Sequence, residues 1–166
     1  MKYTAKAAAL ALALCLALTG CQAQKEESAK EKLTKYTALE SVSDYTSLSA
    51  EYLQAVADCA DRDSPSSIQD MAKARANLEI VCDKLIEETE VPEKCKDLHE
   101  EFKTAAEKLE EAGKHYSDAN IAINMDDTIG YNSDLNKAAK SIDEASGAIQ
   151  RANDLMDELN ASENSE

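Results

Sequence analysis

Apolar residues return at alternating steps of three and four along most of this chain, which is the spacing of one face of an α-helix. The pattern is cleanest from residue 95 onward. Cys95, Leu98, Phe102, Ala105, Leu109, Ala112, Tyr116, Ala119 and Ile123 follow it without exception, and Leu135, Ala138, Ile142, Ala145, Ile149, Ala152, Met156 and Leu159 repeat it. The spacing predicts helices over 92–124 and 135–159. Two such seams joined by a short link predict an antiparallel hairpin packed at coiled-coil angles. Alanine at one seam position on both helices lets the backbones approach toward the lower end of the ~8–10 Å interaxial range.

The first half carries the same period less strictly. Leu33, Tyr36, Val42, Tyr45, Leu48, Tyr52, Val56 and Cys59 predict a helix over 29–61, with a break near Ser41 to Asp44 as the alternative, because Ser and Thr crowd residues 37–49. Ser28 and Glu31 have the spacing of a capping box at its start. Ser64 before Pro65 suits the cap and first turn of the next helix, predicted over 65–88 with Ile68, Met71, Leu78, Cys82 and Leu85 on its apolar face. Val91-Pro92 then turns the chain, since a residue before proline is pushed out of the helical region.

Short links make sequential helices antiparallel neighbours. The expected fold is therefore all-α: an antiparallel up-down bundle of about four helices over residues 29–160, with a coiled-coil-like C-terminal hairpin and a frayed tail at 161–166. Counting back from Val91 places Pro65 level with Tyr116, so the tip of the last hairpin, 117–133, should project past the first by about 13 Å.

Upstream of the bundle the pattern changes kind. Met1 to Lys6 carries two lysines and no acid, and Ala7 to Leu18 is an unbroken run of Ala, Leu and one Cys. That run is too short for a spanning helix, which takes about 20 apolar residues, so it reads as a cleaved secretory signal. The run ends in Leu18-Thr19-Gly20-Cys21. This tetrad resembles the lipobox of bacterial lipoproteins, and the resemblance covers the first 21 residues. It implies cleavage after residue 20, a diacylglyceryl group on the Cys21 thiol, and a lipid anchor on the extracytoplasmic side of the envelope. Gln22, where an Asp would signal retention at the inner membrane, implies the outer membrane if the cell has one and the cell membrane otherwise. A polar tether follows the acylated cysteine, ending at Ser28; its six residues 22–27 reach about 20 Å at full extension, which holds the bundle near the membrane.

Loss of residues 1–20 leaves 146 of 166 residues, one domain of ordinary size. It also removes Lys2 and Lys6, so 33 acids face 16 of the 18 bases and the net charge moves from −15 to −17. So acidic a surface repels nucleic acid and anionic lipid alike, and the acyl chain rather than the protein surface must hold the membrane.

Candidate chemistry is sparse. Of five cysteines, Cys15 goes with the signal and Cys21 to the lipid, leaving Cys59, Cys82 and Cys95. The helical count puts Cys82 and Cys95 at one end of the bundle, where they are small core residues or else a disulfide, and puts His99 opposite Cys82. Two thiols and an imidazole suit zinc. A fourth ligand is missing, so no metal or other cofactor is expected, and Cys82, Cys95 and His99 stand as the alternative. Neither His99 nor His115 has the Glu three residues earlier that di-iron bundles use. No Cys-x-x-Cys-His, Gly-x-Ser-x-Gly, phosphate loop or His-Glu-x-x-His occurs. Residues 124–134 fail the EF-hand register, since aligning Gly130 with its glycine puts Met125 at the first ligand position. The favoured reading is a turn whose aspartates cap the last helix.

These features predict a non-enzymatic, lipid-anchored binding or scaffolding module, with an envelope protein or a second copy as partner. Contact falls to the hairpin tip: Ile129 and Tyr131 as apolar anchors, Asp126, Asp127 and Asp134 as polar rim.

Overall fold

A computed structural model describes residues 28–62 and 65–161, without the side chains from 59 to 69. The expected signal, Cys21 with its expected lipid, the tether before Ser28, the side chain of Cys59 and the tail from 162 lie outside the described residues. Among the described residues the fold is all-α, with α1 (Ala29–Thr37), α2 (Glu40–Arg62), α3 (Pro65–Ile86), a 3-10 turn (Glu93–Cys95), α4 (Lys96–Asn124) and α5 (Thr128–Ala161). None of these helices is long and apolar enough to cross a membrane.

The capping box forms as the spacing predicts: Ser28 Oγ accepts from the Glu31 N–H, and Glu31 Oε2 accepts from the Ser28 N–H, each at 3.2 Å. The helix it starts is short. In place of one helix over 29–61 there are two, parted at Ala38 and Leu39 rather than at Ser41 to Asp44. Thr37 Oγ1 donates to the Leu33 and Thr34 carbonyls at 3.0 and 3.2 Å, a bond that bends helices, and the chain leaves α1 at Ala38 with ψ −6°. The bend lets α1 turn onto α5 and the 3-10 turn, burying Ala29, Leu33 and Tyr36. Ser41 caps nothing; its hydroxyl donates to Glu88 at 2.7 Å and ties the start of α2 to the end of α3.

Pro92 turns the chain in the extended conformation, φ −57° and ψ 140°, and the 3-10 turn follows, so α4 begins at Lys96 rather than at Pro92. This delay resets the height of α3 against α4. Cys82 Sγ donates to the Ala106 carbonyl at 3.8 Å. Seven residues earlier on α3 and seven later on α4, the Arg75 stem lies across Gly113, where a Cβ would stand 2.9 Å from Cδ and Nε. The helices therefore run antiparallel, and Gly113 gives room for that crossing. Ten further residues along each helix bring Pro65 level with Ile123, not Tyr116. The expected 13 Å projection of the last hairpin is thus corrected: the start of α3 reaches nearly to its tip.

Helices α4 and α5 form the most extensive pairing, joined by only Met125 to Asp127. Lys108 pairs with Glu144 at 2.9 Å; seven residues down one helix and seven up the other, Glu101 pairs with Arg151 at 2.8 Å. Fourteen residues the other way, Ala122 faces Gly130. One register runs the length of the hairpin. Ala105, Ala112, Ala138, Ala145, Ala148 and Ala152 are all fully buried, as the seam requires. Against that seam stand large side chains from the first half. Tyr36 stacks on Phe102 with ring centroids 6.2 Å apart, and Tyr45 meets Phe102 edge-on at 5.8 Å.

Candidate functional site

The two ends of the bundle hold the two candidate sites. At the base, where α1 meets the starts of α2 and α4, the sequence places Cys82, Cys95 and His99 together. The register separates them. Cys82 faces Ala106, which lies eleven residues beyond Cys95, about 16 Å along the helix axis. A disulfide needs Cα atoms within about 7 Å, and both cysteines are free buried thiols. The Cys82–Cys95 bridge is therefore corrected, and the same separation removes the Cys82, Cys95 and His99 metal set. Among the described residues no three His, Cys, Asp or Glu side chains are grouped to hold a metal ion.

Burial also pushes both thiols up: desolvation leads for Cys82, reinforced by Glu110, and desolvation leads for Cys95 against a lowering by Lys32. Protonated thiols are poor nucleophiles and poor ligands. Both act as small core residues.

His99 has a partner that the sequence did not indicate. Its Nδ1 is hydrogen-bonded with Tyr36 Oη at 2.9 Å, the rings meeting edge to face. Desolvation lowers the His99 pKa, with Lys103 adding to it and Glu100 and Glu88 opposing. Desolvation likewise raises that of Tyr36, with Cys95, Glu88 and Glu100 adding to it. The pair is thus held neutral, a buried polar contact that locks α1 to α4. Glu88 stays ionised beside it: its carboxylate sits below the usual range, chiefly because it accepts from Ser41, then from the Glu90 N–H. A seam tyrosine and a histidine one step off a seam were the available signals, but pairing them required knowing where α1 folds back.

At the tip, α5 begins at Thr128, seven residues before the expected start. Asp127 is the reason. Its Oδ1 accepts from the Gly130 N–H at 2.9 Å, the third-position bond of an N-cap. Asn132 Nδ2 then donates to the Thr128 carbonyl at 2.8 Å, and Lys137 bridges Asp134 at 2.7 Å, so a stretch rich in Asn, Ser and Gly is wound into helix. The connection is a three-residue link in which Asp126 takes φ 60°, a left-handed conformation that aspartate enters more readily than most non-glycine residues.

The structure divides the predicted tip residues. Ile129 is 84 % exposed; Tyr131 is half-buried, level with Ile121 across the hairpin. Asp127 is occupied as a cap and Asp134 by Lys137, while Asp126 stands free in solvent. Three apolar residues join the set: Met125 at 74 %, Ile121 at 55 % and Ile123 at 45 % exposure. Ile123 keeps the seam spacing, but the buried seam of α4 stops at Ala119. Periodicity alone could not show that the pattern outruns its cover. No protein-family model, curated protein or solved structure matches the chain.

Proposed function

We propose that this chain is a lipid-anchored envelope protein, tethered through Cys21 on the extracytoplasmic side, whose helical bundle is a non-enzymatic docking module working through the α4–α5 tip. One observation carries the reading. Among the described residues five large hydrophobic side chains are exposed, and four of them, Ile121, Ile123, Met125 and Ile129, lie on this one hairpin end. Single exposed hydrophobics need no explanation, but a concentration of them marks an interaction surface. The fifth, Ile80, is on the outer face of α3 and supplies a control. The anchor reading rests on the charged start, the apolar run and Leu18-Thr19-Gly20-Cys21 in order. Gln22 directs it to the outer membrane in a cell that has one.

Two experiments test these parts separately. Mass measurement of the intact protein taken from its own membrane should give a chain starting at Cys21 with a diacylglyceryl group; an unmodified chain sinks the anchor. A photo-crosslinking residue at position 129 should trap an envelope partner in living cells, and one at position 80 should not. Ile129→Ser with Tyr131→Ser should end capture by a crosslinker at position 125 without loss of helix content. Equal yields from positions 129 and 80 would dispose of the tip.

A further inference from the structure

Charge sets the kind of partner the tip can accept. From Asp118 to Asp134 the chain holds four aspartates and no lysine or arginine. The nearest bases along the hairpin are Lys114, eleven residues before Met125, and Lys137, ten residues after Asp127, and each lies about 15 Å or more from the apex along its helix. The screening length at physiological salt is about 8 Å, so neither base offsets the field at the apex. Lys137 is in any case spent on Asp134. In sequence, the end of α2 and the residue after it, Asp61-Arg62-Asp63, are themselves net acidic.

The apolar surface is arranged around those charges. In the hairpin register Ile123 is level with Ile129 and Ile121 with Tyr131, with Met125 at the apex and Asp126 exposed beside it. A second copy meeting this tip with its own would bring aspartates together with nothing between them. Anionic lipid and nucleic acid meet the same repulsion. A segment that is apolar on one face and cationic at its edges satisfies both the uncovered side chains and the field.

Building on the docking reading, we infer that the tip binds a cationic, amphipathic helical segment of a partner protein, with Ile121, Met125 and Ile129 as its apolar floor and Asp126 as its ion-pairing edge. The partner helix lays its apolar face on the tip and its lysines or arginines toward Asp126 and Asp118.

The test uses the mature chain in phosphatidylcholine nanodiscs, with isotope labels on the Ile and Met methyl groups, titrated with an amphipathic Lys/Leu helical peptide and its Glu/Leu counterpart. The Lys/Leu peptide should shift the methyl resonances of Ile121, Ile123, Met125 and Ile129 and leave Ile80 still, weakening steadily as salt is raised. The Glu/Leu peptide should shift none. Asp126→Asn should weaken binding about two- to fivefold and flatten its salt dependence; Met125→Ser with Ile129→Ser should abolish it. Equal binding of both peptides, or a response of the tip to phosphatidylglycerol vesicles or to rising concentration of the chain itself, overturns the cationic partner while keeping the docking tip. Shifts that include Ile80 and spread along the acidic surface overturn the inference as non-specific attraction. A tip silent to peptides, vesicles and its own copies overturns the docking reading as well.

Discussion

The two hairpins of this bundle solve the packing problem in opposite ways. In α4–α5 buried alanines alternate with larger residues along the seam, the pairing is the most extensive in the fold, and ion pairs seven residues apart follow one register. In α2–α3 larger side chains fill the core, and Tyr45 of α2, with Tyr36 of α1, packs on Phe102 of α4. The second solution has a polar cost that the first avoids. Tyr45 and Tyr52 are fully buried, and neither hydroxyl oxygen has a hydrogen-bond partner among the described residues. The alanine seam supplies register, and the aromatic half supplies volume.

Removing the joint between the halves should have the largest effect. Phe102→Ala deletes the ring on which Tyr36 and Tyr45 both pack, and the expected loss is about 3–5 kcal/mol, read from the midpoint of urea unfolding at unchanged slope. An undiminished midpoint would mean that the halves do not depend on one another. Next comes the seam itself. Ala145→Leu overfills a position with no exposure and should cost about 1–3 kcal/mol, whereas Leu48→Met in the half-buried margin of α2 should cost under about 1 kcal/mol. Equal costs would erase the contrast between a tight hairpin and a tolerant one.

The base offers a pH probe of the same contrast. His99 is held neutral in the folded chain, so its folded pKa lies below its unfolded value of about 6.5. Between those two values the unfolded chain binds the extra proton, and stability rises with pH. Unfolding free energy should therefore fall as pH drops below about 6.5 and should be flat in this contribution above about 7. Substitution His99→Gln should remove that slope; a slope that survives belongs to other groups. The smallest effect is expected from Tyr45→Phe, which discards an unpartnered hydroxyl and should leave stability unchanged or raise it slightly. A loss of more than about 1 kcal/mol would reveal that the hydroxyl has a partner after all.

How far the sequence could be read follows from the same division. The α4–α5 seam is local and periodic, so Ala105 through Ala119 and Ala138 through Met156 could be placed on it without a structure. The capping box needed only Ser28 and Glu31. What escaped were the places where one residue resets a long lever. Thr37 and Ala38 end α1 early, and the 3-10 turn through Cys95 shifts α3 against α4 by about two helical turns. That shift separates Cys82 from His99. At the tip the aspartate cap was legible, but Asp127 supplies it, so the last helix begins where composition suggested a loop. Ile129 was legible as an anchor because it stands next to the turn; Ile123 was hidden by its seam spacing, and Ile121 and Met125 because they fall between seam positions.

The uniform register of α4 and α5 has a bearing on how such a chain can change over generations. Because Lys108 with Glu144 and Glu101 with Arg151 repeat at seven-residue steps, removing or adding seven residues in both arms near the tip leaves every remaining pair in place. The three-residue link and its Asp127 cap would travel unaltered to the new end. Each such paired change moves the tip by about 10 Å. The hairpin is therefore an adjustable arm: its reach beyond the base of the bundle can lengthen or shorten in fixed increments while the core around Phe102 stays the same.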